Sequence, residues 1–280
     1  MPLRILVIAA HPDDADFYAG GLLVRHCRLG STVKIVSVTD GRCGHHQIAP
    51  DRLVAIRRSE AHTAGASIGA EYETWDFPDG SLQANLQVRE AIIRQVRKFE
   101  PDLLLTHRLV DYHPDHRAVS LAVQDACYLV TVPHVCPDQP ALRRDPTVAF
   151  MADLFTRPNK LRADVLLDVS AEFPSVVQML ACHRSQFFQW LPYHDDLQVP
   201  NQESQQITWL ANWISGLHRQ RCQHFAEELA AAQIPPEPSL KLETYEISEY
   251  GQRCSNQQLA ELFPGYKTQT PSHSAIQSSQ

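Results

Sequence analysis

Two short clusters concentrate the chemistry of this chain: His11-Pro12-Asp13-Asp14 near its start and His113-Pro114-Asp115-His116 further along. One imidazole, one carboxylate and a second imidazole are what a catalytic Zn²⁺ site uses when it keeps a position open for water. His11 and Asp14 are candidate ligands from the first cluster, and the second offers a third ligand together with an independent acid-base group. A metal held in this way lowers the pKa of its water to roughly 7 and polarises a carbonyl, so hydrolysis is the expected reaction. The proton of that water needs a carboxylate that is not itself a ligand, and Asp13, beside Asp14, is the candidate. His113 is a candidate for steadying an oxyanion or protonating a leaving amine, and Asp115 for orienting one imidazole from behind. Either tetrapeptide alone reads as well as a capped turn; two of them, each directly behind a buried strand, favour a site.

The elements that must position these groups alternate along the chain. Residues 4–10 are apolar without interruption, as in a strand covered on both faces. A helix is expected from Asp16 to about Leu29, stopped by Gly30, then a strand over Val33–Thr39, which makes a right-handed parallel βαβ unit. A helix over Arg52–Ile68, a strand over Glu71–Phe77, a helix over Leu86–Phe99 and a strand over Asp102–Thr106 continue the pattern. Beyond them come a helix over Ala118–Val130, a proline-rich irregular stretch over 132–147 and strands near 148–154 and 163–169. A helix over Ala171–Gln186, a polar loop over 191–205, a helix over Ile207–Ala232 and a strand over Leu242–Ile247 complete the series. Such alternation predicts an α/β fold, a Rossmann-like three-layer sandwich with a mostly parallel central sheet. Ligands of such sheets lie outside the carboxyl ends of the strands, so both clusters are expected to face one crevice.

With these motifs the chain resembles the LmbE-like, or PIG-L-like, zinc-dependent N-acetylglucosaminyl deacetylase family. The matching stretches are AHPDDADFYAGG at 10–21 and HPDH at 113–116, with Thr39-Asp40-Gly41, Arg57-Arg58-Ser59-Glu60, Pro78-Asp79-Gly80 and His183-Arg184-Ser185-Gln186. The resemblance implies His11, Asp14 and His116 as ligands of Zn²⁺, with Fe²⁺ as an alternative metal. It implies Asp13 as base, His113 as acid or oxyanion partner and Arg57 near the substrate. Its reaction would remove an N-acetyl group from a glucosamine-containing conjugate and release acetate; a larger amide, such as a thiol conjugate or acyl-glycan, is the alternative on the same residues. A homo-oligomer is also implied. Arg57 reads otherwise as a helix-surface partner of Glu60, and Tyr112, next to His113, either contacts substrate or packs. Asp16 stands where many members carry Glu, and the loops over 42–51, 132–147 and 187–205 leave the substrate open.

Composition bounds the rest. With 280 residues, 44% hydrophobic and 20% charged, the chain has the make-up of an ordinary soluble globular protein. A net charge of -7 argues against nucleic acid as a partner and leaves a small amino-sugar conjugate as the better fit. Seven scattered Cys without a CxxC pair suggest neither a zinc ribbon nor a disulfide scaffold, and a cytoplasmic location is expected. No apolar run is long enough for a membrane span, and no GxGxxG follows the first strand, which removes support for a dinucleotide-binding module. A single domain is expected over 1–266, its part 190–266 variable, followed by a Ser/Thr/Gln-rich disordered tail over 267–280. His45 and His46 are expected as exposed loop residues, and Phe187, Phe188, Trp190 and Tyr193 as core or interface aromatics rather than a sugar platform. His183 reads equally as a core residue or as the edge of the site.

Overall fold

The computed structural model describes residues 2–268, and most of the expected tail lies outside them. Alternation along the first strand, β1 (Arg4–Ala9), decides the layering. Ile5, Val7 and Ala9 enter one core, where α1 (Asp14–Arg28) supplies Ala15, Ala19, Leu22 and Leu23. Leu6 and Ile8 enter a second core with Val88, Ile92, Ile93 and Val96 of α2 (Leu86–Phe99) and Val119, Ala122 and Val123 of α3 (Pro114–Leu129). A strand covered on both faces needs no polar side, which is why its sequence runs apolar throughout.

The sheet adds β2 (Thr32–Thr39), β3 (Glu71–Phe77), β4 (Leu103–His107), β5 (Thr147–Met151), β6 (Val165–Asp168) and β7 (Leu242–Ile247). Its seven strands run in the order β3-β2-β1-β4-β5-β7-β6. Strands β1 to β5 pair in parallel, and β7 runs antiparallel to both of its neighbours, β5 and β6. The order reverses between β1 and β4, so the crevice for a ligand opens beyond their carboxyl ends, where both histidine clusters begin. The helix between β2 and β3, α4 (Pro50–Ile68), carries Arg57. Among the described residues no helix is long and apolar enough to cross a membrane, and all seven cysteines are free.

Several boundaries differ from the sequence reading. Helix α1 starts at Asp14 rather than Asp16, and α3 starts at Pro114 rather than Ala118. Proline suits the first helical position because it has no N–H to leave unpaired. The expected helix over 171–186 ends early, as α5 (Phe173–Cys182), and is followed by a π-helical turn over Gln186–Trp190. The expected polar loop opens with a short helix, α6 (Leu191–His194), and the next helix divides into α7 (Glu203–His224) and α8 (Ala226–Ala231) around the buried Phe225. A last helix, α9 (Asn256–Leu262), has no counterpart in the sequence reading, although Ser255 and Gln258 form a capping box at its start. Lys267, the first residue of the expected tail, pairs with Leu166 through backbone bonds of 2.8 and 2.9 Å.

Candidate metal centre

Four residues separate β1 from α1, and the turn between them is strained. Asp13 has φ 120°, in the left-handed half of backbone space, which costs a side-chain-bearing residue on the order of 1–3 kcal/mol. Two groups hold it there. The Asp13 N–H donates to the Tyr72 hydroxyl at 3.0 Å, and Arg57 donates to the Pro12 carbonyl while lying 3.1 Å from Asp13 Oδ2. Gly41 admits that guanidinium: a Cβ at this position would lie 2.7 Å from Arg57 Nη1. The result aims the Asp13 carboxyl into the crevice, where burial pushes its pKa up to about 6 against the pull of Arg57.

Three donor atoms converge beside it. His11 Nδ1 is 3.2 Å from His116 Nε2 and 3.3 Å from Asp14 Oδ2, and His116 Nε2 is 3.4 Å from Asp14 Oδ1. Ligands at the usual zinc distances define a tetrahedron with edges of roughly 3.3 Å. The opposite nitrogens are already engaged: His116 Nδ1 is 3.0 Å from Asp111 Oδ1, and His11 Nε2 is 3.1 Å from Asp79 Oδ1 and 3.3 Å from Asp115 Oδ2. A carboxylate behind each ring holds the proton on the far nitrogen and turns the lone pair of the near one toward the common point. These residues therefore fit a divalent metal.

Electrostatics agree with the geometry. Burial opposes charge on His11, but Asp14, Asp115 and Asp79 outweigh it and hold its pKa well above the ordinary imidazole value. His116 is pushed up to about 9, with burial overcome by Asp14 and Asp111. Burial likewise works against the charge on Asp14, yet His116, His107 and His11 keep its carboxyl well below the usual range. Buried carboxylates that draw positive charge onto two imidazoles make a site suited to a cation.

The other predicted residues take distinct places. His113 caps α3, its Nδ1 accepting the Asp115 N–H at 3.2 Å, so that its proton sits on Nε2. Burial, with His11 and His116 nearby, lowers its pKa and keeps the ring neutral. Asp115 is fully buried and does not line the cavity; it accepts the Gly80 N–H at 2.7 Å and the Leu82 N–H at 3.1 Å. Tyr112 is 56% exposed at the lip, its ring centroid 5.7 Å from that of His113. Arg57 does not pair with Glu60. That carboxylate instead takes the Ser185 N–H at 2.8 Å and the Ser185 hydroxyl at 2.6 Å.

His183 lies wholly buried 3.4 Å from Asp16. His45 bonds Gln189 at 2.9 Å and His46 stacks on Tyr193, so neither lines the cavity. Phe187 and Phe188 are core residues, as the sequence reading has them, and Phe187 and Trp190 also line the cavity.

Asp79, Asp111 and His107 were not singled out by the sequence as site residues. Each stands at or just behind the carboxyl end of a strand, which was the available signal. Among the described residues three groups could hold a metal: His11, His113 and His116; Asp14, His107 and His116; and His11, Asp79 and Asp115. In the second, His107 Nε2 already accepts the Ala10 N–H at 3.0 Å. In the third, both carboxylates are taken up by backbone N–H groups of Gly80, Leu82 and Cys43. In the set of His11, Asp14 and His116, Asp14 Oδ2 accepts the His11 N–H at 2.7 Å, and Asp14 Oδ1, 3.4 Å from His116 Nε2, is the oxygen left to join the two imidazole nitrogens.

His11, Asp13, Asp14, Arg57, Tyr112 and His113 line a cavity of about 470 Å³. Residues 6–127, which contain both clusters, match the family described as PIG-L: GlcNAc-PI de-N-acetylase. Beyond the segment the likeness continues: the chain is 24% identical over 198 residues to the 4-oxalmesaconate hydratase of Pseudomonas putida, covering 67% of this chain and 76% of that one. It is 27% identical over 207 residues to the diacetylchitobiose deacetylase of Thermococcus kodakarensis, covering 68% and 74%. The solved structure of the Pseudomonas putida 4-carboxy-2-hydroxymuconate hydratase superposes with a TM-score of 0.68 at 19% identity, over 91% of this chain and 99% of that one. The last likeness is one of fold.

Proposed function

We propose that this protein is a metal-dependent deacetylase that removes the N-acetyl group from a glucosamine-containing small molecule. The observation that carries the proposal is the convergence of His11 Nδ1, His116 Nε2 and the Asp14 carboxylate beside an Asp13 carboxyl that faces the same cavity. His11, Asp14 and His116 hold the metal; two imidazoles and a carboxylate suit Zn²⁺, and Fe²⁺ is the alternative. Such an ion supplies a water acidified to a pKa of about 7 and a polarised carbonyl.

The chain's own groups do the rest. Asp13 takes the proton of the attacking water as oxygen adds to the amide carbon, with Arg57 fixing the direction of its carboxylate. His113, neutral and protonated on Nε2, donates to the oxygen that gains charge. The C–N bond then breaks, the amine leaves with the proton that Asp13 held, and acetate remains. Asp115 acts through His11, as a positioning residue. Tyr112 contacts the substrate at the lip. A cytoplasmic setting is supported by the free cysteines, and assembly as a homo-oligomer belongs to the same reading.

A hydratase shares the fold, so the fold does not choose between hydration and amide hydrolysis. The cavity favours the amide. By its name the hydratase takes a carboxylate-bearing acid, which calls for cations, and Arg57, already paired with Asp13, is the one Lys or Arg among the described lining residues. Zinc-reconstituted protein should release acetate and free amine from a panel of N-acetylglucosaminyl conjugates. Hydration of an unsaturated polycarboxylic acid without any acetate release would overturn the proposal.

A further inference from the structure

The cavity has two unlike linings. One is the polar centre described above. The other, an apolar wall, is made by Phe187 and Trp190 of the π-helical turn, Leu191 of α6, Trp213 and Leu217 of α7, and Phe17 of α1. All but Phe17 fall outside the segment matched to the PIG-L family. Phe187 is buried, while Trp190, Leu191, Trp213, Leu217 and Phe17 keep part of their surface open. The wall is braced from behind: the ring of Trp213 lies 6.1 Å from that of Phe187 and 5.3 Å from that of Trp209, and these aromatics join the core under α5.

A deacetylase acting on an acetyl group and one sugar ring needs polar partners for hydroxyls and at most one aromatic face. Here several apolar side chains face the cavity together, and its volume of about 470 Å³ is of the size that encloses a drug-sized ligand. Preformed apolar surface of this kind gains most from an apolar group brought out of water. We infer that the wall receives an alkyl or aryl substituent, so that the substrates are N-acylated amino sugars carrying such a group rather than free sugars. The inference rests on the deacetylase reading for the sugar and the amide, but the binding it predicts does not require turnover. The apolar group has two possible sources, the aglycone or a long acyl chain on the nitrogen.

The test is calorimetric titration of the zinc-loaded full-length protein with matched pairs below their micelle concentrations. One arm compares methyl with n-octyl glycosides of glucosamine, which have no amide to cleave; the other compares N-acetyl with N-octanoyl glucosamine methyl glycoside. An octyl or octanoyl member binding roughly 10–100-fold more tightly than its short partner is the expected result. A gain in the first arm identifies the aglycone as the source, and a gain in the second the acyl chain. Trp213→Ala, and independently the rim change Leu217→Gln, should each reduce that ratio to below about threefold. Ratios near one in both arms, in protein that still binds zinc, overturn the inference. Absence of acetate release with the octyl preference intact would instead overturn the deacetylase reading and leave the wall's role standing.

Discussion

His11-Pro12-Asp13 and His113-Pro114-Asp115 are the same three residues behind two neighbouring parallel strands, yet their aspartates do opposite things. In the first, the helix begins only after the tripeptide, at Asp14, so Asp13 stands in the turn with a positive φ and faces the cavity. In the second, the helix begins inside the tripeptide, at Pro114, so His113 becomes the cap and Asp115 turns back onto the N–H groups of Gly80 and Leu82. Burial raises the one carboxyl to about 6. The other is lowered, because the His11 ring and two backbone donors outweigh its burial. A shift in where the helix starts thus separates a carboxyl that faces the cavity from one that lies behind the His11 ring.

The largest test of this comparison is Asp13→Asn. Loss of a general base should lower kcat by roughly 10²–10⁴-fold while zinc content, measured by plasma emission, stays that of the parent. Turnover at the parental rate would break the assignment. Asp115→Asn should behave differently, with zinc affinity weakened about 10–100-fold and kcat largely recovered at saturating zinc in a competition-chelator titration. If it instead kept its zinc and lost turnover, the two aspartates would be equivalent and the contrast would fail. Gly41→Ala crowds Arg57. It should cost about tenfold in kcat, the loss of one charge-assisted contact to Asp13, without loss of zinc.

The smallest effect supplies a control outside both loops. His218, on the buried face of α7 and bonded to the Leu242 carbonyl, has its pKa lowered to about 3 by burial, with Arg221 adding to it. The unfolded chain therefore binds a proton that the folded chain refuses between the ordinary histidine value and about 3. The stability this ring contributes is complete above the ordinary value and is lost as the pH falls through that window, at up to about 1.4 kcal/mol per pH unit. Denaturant titrations of His218→Gln should show a shallower loss between pH 6 and 4. An unchanged slope would show that the ring does not titrate in this way, and the acid sensitivity would have to be sought in the two loops.

The α/β sheet and the meeting of the two clusters at one crevice were readable beforehand, for particular reasons. His11, Asp14 and His116 carry the right atom types, and uninterrupted apolar strands place their loops at one edge of the sheet. The contrast between Asp13 and Asp115 is three-dimensional, since it depends on which peptide N–H groups surround each carboxyl. Asp79, Asp111 and His107 were hidden for a related reason: their part is to occupy the rear nitrogen of a ring, or to stack against one, from loops distant in sequence. The apolar wall was hidden because a π-helical turn at Gln186–Trp190 puts Phe187 and Trp190 at the cavity while Phe187 and Phe188 also pack in the core. Helix α9 announced itself through Ser255 and Gln258, a signal that periodicity alone passes over.

The most direct measurement is the position of the metal in zinc-soaked crystals, located by anomalous scattering at the zinc edge. The account predicts a single peak at about 2.0–2.2 Å from His11 Nδ1, His116 Nε2 and an Asp14 oxygen, with Asp13 near but unbound and Asp115 on the far side of the His11 ring. A peak between His11 Nε2, Asp79 and Asp115 would contradict it, because the aspartate assigned to positioning would then be a ligand.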